Sequence, residues 1–282
     1  MKITSTVISY SLIAIFVHAA PNPFKQGIHG PISHSSRSTH HPRSQEEDHD
    51  ARVTYNPSWS GAVIHSPPEG ETFNSVSASF VVPKPSIPAG SPVEGFYSVA
   101  VWVGIDGSTS QNAILQTGVD LTIAGGQVYY EPWYEWWPDH SYTFSEHLAI
   151  SPGDVVKVTV SATSSTSGFA IVENVSTSKV VSQYITSAYA LGQQNAEWIV
   201  ENYIMGPSSS SPFTPLANWS SIVFTDTRAS TQKSWLDASN ATIVNMRQNK
   251  KVITKVSIDG SSVIDTYIYT GKASDLKTED PS

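Results

Sequence analysis

The sequence predicts an all-β protein, a sandwich or barrel of antiparallel strands. Nearly every periodic segment alternates its residues with period two, and no window of a dozen residues holds a clean period of 3.6. β-Branched and aromatic residues fill these segments, while Gly, Pro, Ser and Asn cluster between them.

Taken in order, the chain begins outside this pattern. Lys2, an apolar run from Val7 to Val17 and small residues at Ala19-Ala20 read as a secretory signal peptide over residues 1–19. The run is short for a bilayer span. Residues 20–51 carry Pro, Ser, five histidines (His29, His34, His40, His41, His49) and the acidic cluster Glu46-Glu47-Asp48-Asp50. Too few large apolar residues remain there to bury a core, so a disordered, removable pro-segment is expected. The histidine spacings match no standard metal site.

Residues 52–282 then form one domain, with no linker-like stretch to divide it. Strands are expected at Trp59–Ser66, Ser75–Val82, Ser98–Ile105, Ala113–Asp120, Gln127–Trp137, Val155–Ala162, Gly168–Asn174, Lys179–Ile185, Glu197–Tyr203, Ser221–Thr225, Ala241–Gln248, Lys251–Ile258 and Ser262–Thr270. Asp259-Gly260 between two β-branched runs is the strongest hairpin signal.

Composition excludes several function classes. The net charge of −8 argues against nucleic acid, which is bound through basic patches. No later stretch qualifies as a membrane span, so an exported product that leaves the membrane is expected. There is no cysteine, and stability cannot rest on disulfides. Sequons at Asn174, Asn218 and Asn240 are candidate surface glycosylation sites.

Strand alternation sorts the side chains into faces. Trp198 and Val200 oppose Glu197, Ile199 and Glu201; Val101, Val103 and Ile105 oppose Trp102, Gly104 and Asp106. Leu115, Thr117 and Val119 oppose Ile114, Gln116, Gly118 and Asp120; Tyr130, Pro132, Tyr134 and Trp136 oppose Glu131, Trp133, Glu135 and Trp137. One face of each strand suits a core, and the other carries Trp, Gln, Asp and Glu. Side by side, these strands would present an exposed aromatic and acidic groove, a surface that points to ligand binding.

Familiar hydrolytic sites can be tested against this face. Only His65, His140 and His147 follow the pro-segment, and no Gly-x-Ser-x-Gly elbow or His-Glu-x-x-His motif accompanies them. Asp106-Gly107-Ser108 and Asp259-Gly260-Ser261 have the wrong order for pepsin-like loops and read as turns. Glu131 and Glu135, like Glu197 and Glu201, lie about 13 Å apart along one strand, beyond the reach of a glycosidase pair. A closer pair would have to come from neighbouring strands.

The blocks Trp59-Ser60-Gly61-Ala62-Val63, Phe80-Val81-Val82-Pro83, Trp102-Val103-Gly104-Ile105-Asp106-Gly107, Leu115-Gln116-Thr117-Gly118-Val119-Asp120, Trp133-Tyr134-Glu135-Trp136-Trp137-Pro138 and Ala196-Glu197-Trp198-Ile199-Val200-Glu201 occur in this order. Together, over about residues 55 to 270, the chain resembles the fungal glutamic peptidase (eqolisin) family. The resemblance implies a lectin-like sandwich of two antiparallel sheets and a secreted monomer made with a pro-segment. It also implies acid cleavage of protein or peptide substrates without metal or cofactor. The family's dyad carries over to Gln116 and Glu197. Glu197, near an unperturbed pKa of about 4.3 unless neighbouring carboxylates raise it, would act as general base and then acid, and Gln116 would donate to the oxyanion. Trp59, Trp102, Asp106, Glu135 and Trp137 would line the substrate groove; core packing competes for the tryptophans and a turn role for Asp106. The absence of cysteine and Trp137, where relatives often have Tyr, depart from the family pattern without touching the dyad. The alternative reading is a non-catalytic lectin-like sandwich that binds glycan or peptide.

Overall fold

The computed structural model describes residues 32–33, 52–205 and 213–276. The expected signal peptide and most of the expected pro-segment lie outside the described residues. Residues 32 and 33 form a two-residue ladder, with Ile32 opposite Met205 and Ser33 opposite Ile204.

Strands of four or more residues are β1 (Val53–Asn56), β2 (Trp59–Ile64), β3 (Ser75–Val81), β4 (Phe96–Ile105), β5 (Ile114–Ala124), β6 (Gln127–Trp137) and β7 (Val155–Ser164). They continue as β8 (Ser167–Asn174), β9 (Lys179–Thr186), β10 (Ala196–Glu201), β11 (Ser221–Ser230), β12 (Thr242–Gln248), β13 (Thr254–Asp259) and β14 (Ser262–Tyr267). One sheet runs β12-β2-β10-β4-β5-β6, extended by the short strands Lys251–Val252 and Tyr142–Thr143 at its ends, with β1 parallel to β12. The other runs β9-β8-β7-β3-β11-β14-β13.

The expected strands are all present, with altered ends. β11 continues past Thr225 to Ser230 through a bulge at which Asp226 takes a φ of 51°. The run expected at Lys251–Ile258 breaks at Ile253, whose N–H turns to the Met246 carbonyl. The β13–β14 hairpin forms with Asp259 opposite Ser262. Its two-residue loop is therefore Gly260-Ser261, and Gly260 supplies the positive φ such a loop needs. β1 was not expected, because four residues on a parallel edge, three of them half-buried, carry little alternation signal.

The sheets pack face to face over a core that includes Ala62, Val101, Val103, Leu115, Val119, Trp198 and Val200 from the first sheet. Val76, Ala78, Val158, Val172, Ile222 and Val263 meet them from the second. Trp198 ties the layers together by donating its indole N–H to the Ser77 carbonyl at 3.0 Å. Burying these apolar faces is the main favourable term, at about 25 cal/mol per Å². A second apolar cluster sits on the opposite face of the first sheet and includes Trp59, Val63, Trp102, Ile114, Trp133 and Ile199.

Of the sequons, Asn174 is not at the surface. It is buried, and its amide donates to the Ala149 carbonyl and to Asp154. Asn240 is exposed and Asn218 half-buried.

Candidate active site

The faces expected from alternation meet in one row. Glu197 on β10 is register-paired with Gly104 on β4, Gly104 with Gln116 on β5, and Gln116 with Glu135 on β6. Glu197 and Gln116 thus flank Gly104 across two strand spacings, about 10 Å between backbones. Gly104 puts no side chain there, and the Trp102 ring packs into the space instead. A Cβ there would lie 2.8 Å from Trp102 Cζ3 and 3.5 Å from Gln116 Cβ.

The face expected to be an exposed groove is closed, for Gln116, Glu135, Glu197 and Trp102 are all at 0% exposure. Three acceptor atoms in this row have no hydrogen-bond partner: Gln116 Oε1 and both Glu197 carboxylate oxygens. Each such buried orphan costs about 1–3 kcal/mol or more, so the row is an unfinished polar network. Gln116 is held from the other side, where its Nε2 donates to Glu135 Oε2 at 2.8 Å.

The balance at Glu197, open in the sequence between an ordinary glutamate pKa and a raised one, falls on the raised side. Burial pushes its carboxyl well above the usual range, the charges of Asp106 and Glu201 add to the shift, and the Ser108 N–H opposes it.

Asp106 is also fully buried, and it faces the chain rather than a groove. Its carboxylate accepts the backbone N–H groups of Gln193 and Gln194 at 2.7 Å each and of Asn195 at 3.2 Å. Burial raises its pKa, and these amides pull it back. Asn195 completes the clamp: its Oδ1 accepts from Thr109 and Ser110 N–H, and its Nδ2 donates to the His65 carbonyl. These bonds join the turn after β4 to the segment that enters β10, directly before Glu197. Asp106 has a φ of 68° and precedes Gly107 at 124°, so the turn role holds as well. A positioning residue fits these contacts better than a groove wall.

Trp59 and Trp102 belong to the second cluster, with ring centroids 5.2 Å apart and planes at 79°. Both indoles donate to Glu201, a site residue that sequence reasoning placed on the correct face but did not single out. Trp137 is register-paired with Ile114 beside the dyad row and remains partly exposed, packed against the same cluster.

A family model described as the Peptidase A4 family matches residues 57–267. This chain belongs to the Peptidase A4 (eqolisin) family. Aspergillopepsin-2 of Aspergillus niger is 39% identical over 232 residues, 76% of this chain and 78% of that protein. Scytalidopepsin B of Scytalidium lignicola is 37% identical over 221 residues, 77% and 80% of the two chains. Among solved structures, scytalido-glutamic peptidase with a transition state analog inhibitor aligns with a TM-score of 0.66 at 34% identity, covering 76% of this chain and 99% of that one. Aspergilloglutamic peptidase from A. niger aligns at 0.57 and 42% identity, covering 61% and 99%. As an eqolisin, the chain is a glutamic-type endopeptidase that hydrolyses peptide bonds of proteins or peptides on a β-sandwich. No helix among the described residues is long and apolar enough to cross a membrane.

Proposed function

We propose a secreted acid endopeptidase in which Glu197 activates water and Gln116 stabilises the oxyanion. The observation that carries this reading is the set of orphaned acceptors on either side of Gly104. A water donating to Glu197 and a substrate peptide N–H donating to Gln116 Oε1 would satisfy them. Ionised Glu197 takes a proton from the water, and the hydroxide oxygen bonds to the scissile carbonyl carbon. The carbonyl π electrons move onto oxygen, where Gln116 Nε2–H donates. One of its two N–H bonds is spent on Glu135, which fixes the amide and leaves the other for the oxyanion. Glu197 then returns its proton to the leaving amine as the C–N bond breaks.

A neutral amide donor keeps working in acid, where a histidine base would be protonated. The raised pKa of Glu197 fits the same cycle: hydrogen bonds from the entering water favour the anion and bring the base back. Trp59, Trp102 and Trp137 form the aromatic side of the groove, with Glu135 and Asp106 behind the dyad. Residues 1–19 act as signal and 20–51 as pro-segment, and the mature enzyme works as a monomer.

The test is cleavage of denatured casein by processed protein between about pH 2 and pH 6, with pepstatin present. Acid cleavage that ignores pepstatin supports the reading. Absence of cleavage by folded, processed protein hands the groove to the glycan- or peptide-binding alternative.

A further inference from the structure

Glu201 lies on the same face of β10 as Glu197, four residues along and about 13 Å away. It is wholly buried, and its two oxygens are divided between two rings. Oε1 accepts Trp59 Nε1–H at 3.1 Å and Oε2 accepts Trp102 Nε1–H at 2.9 Å. The far end of Trp102 lies at Gly104 in the dyad row, and that of Trp59 lies at the Gly107 turn. A Cβ on Gly104, between Glu197 and Gln116, would lie 2.8 Å from Trp102 Cζ3. A Cβ on Gly107, which opens the turn carrying Ser108 toward Glu197, would lie 2.9 Å from Trp59 Cη2. Each ring is therefore fixed at its nitrogen by Glu201; Trp102 presents its benzo edge between the reacting groups, and Trp59 presents its own to the turn that carries Ser108.

We propose that Glu201 is a positioning residue of this peptidase, locking Trp102 beside the slot between Glu197 and Gln116 and Trp59 against the Gly107 turn that closes on Glu197. The inference rests on the dyad reading above. The chemistry selects a carboxylate, which offers two acceptor oxygens and no donor. A glutamine would turn its NH2 against one indole N–H and lose that bond. Packing in the aromatic cluster alone would not need this distinction, because Gln and Glu fill the same space.

The test uses processed full-length enzyme labelled with 15N at the indoles, comparing wild type, Glu201→Gln and Glu201→Asp in two backgrounds, native and Trp59→Phe/Trp102→Phe. In the native background, Glu201→Gln moves the two indole Nε1–H resonances and lowers kcat/KM by about tenfold or more, mainly in kcat. Glu201→Asp, which keeps both acceptors on a shorter arm, falls between. Without indole N–H groups, Glu201→Gln changes kcat/KM by less than about twofold, because the effect travels through those bonds. An equal loss in both backgrounds, or no loss in the native one, overturns the proposal. Should Glu201→Gln not fold, Glu201→Asp decides by the same comparison. Wild type that cleaves nothing overturns the peptidase reading instead, and unmoved indole resonances overturn the clamp whether or not the enzyme is active.

Discussion

Glu197 and Gln116 flank a glycine on one face of the first sheet. Gly104 separates them in one register row, and the absence of its side chain lets the Trp102 ring pack over the row beside a fully buried carboxylate and a fully buried amide. The strands set the separation, since each spacing of about 4.8 Å is fixed by the hydrogen-bond ladder.

Filling that space is expected to cost activity more than stability. In Gly104→Ala the new methyl meets Trp102 Cζ3, which is packed and cannot swing away, and approaches Gln116 Cβ. A misplacement of this size is expected to lower kcat/KM by about 100-fold. The folded state should survive with a penalty of about 1–3 kcal/mol for overpacking. Steady-state kinetics beside thermal unfolding separate the two effects.

Glu135 is expected to act through Gln116. Glu135→Leu leaves Gln116 Nε2 without its 2.8 Å partner and lets the amide turn. A loss of about 10- to 100-fold in kcat is expected, within the range for a displaced oxyanion donor. Glu135→Gln keeps a carbonyl oxygen for the same bond and should retain more activity. Equal losses in the two variants would show that the charge of Glu135, not its acceptor, matters.

The raised pKa of Glu197 predicts two different acid limbs. In the free enzyme, burial and the neighbouring acids hold the carboxyl neutral to higher pH. The limb of kcat/KM, which reports the free enzyme, should therefore lie above the ordinary glutamate value. In the complex, water and substrate donate to the carboxylate, so the limb of kcat should fall at lower pH. Full pH profiles on one peptide substrate test the order.

Much of the site was legible because strand alternation is local. Period two alone put Gln116, Glu135, Glu197 and Glu201 on the face away from the core. The row they form was not legible, because it depends on which strands pair and in what register, and those contacts are distant in sequence. The depth of the groove was misjudged for a related reason. Carboxylates on a strand normally face water, yet here the tryptophans and the turn clamped by Asp106 close over them. Asp265 shows the converse. It sits between Val263 and Tyr267 on the inward face of β14, so alternation could have flagged it.

Asp265 makes stability depend on pH. It is wholly buried between the sheets and neither carboxyl oxygen has a partner: Ser60 spends its hydroxyl on Thr254, and Trp219 donates to the Asp265 backbone carbonyl. Burial pushes its pKa up to about 7. The folded state thus holds a proton that the unfolded chain has released. The stabilising contribution is complete below about pH 4, declines as pH rises toward 7, and amounts to about 4 kcal/mol between those limits. Asp265→Asn should flatten the difference in urea midpoint between pH 4 and pH 7. An unchanged slope in the variant would remove Asp265 from this account.

The most direct test of the account is Glu197→Gln in the processed enzyme. The variant keeps the volume of the side chain and removes the base that the water needs. At a pH where wild type cleaves casein, the account predicts a loss of about 1,000-fold or more in kcat with an unchanged fold by circular dichroism and KM within a few-fold. Cleavage by the folded variant at a rate near that of wild type would contradict it, and the proton transfers would have to be assigned to another group.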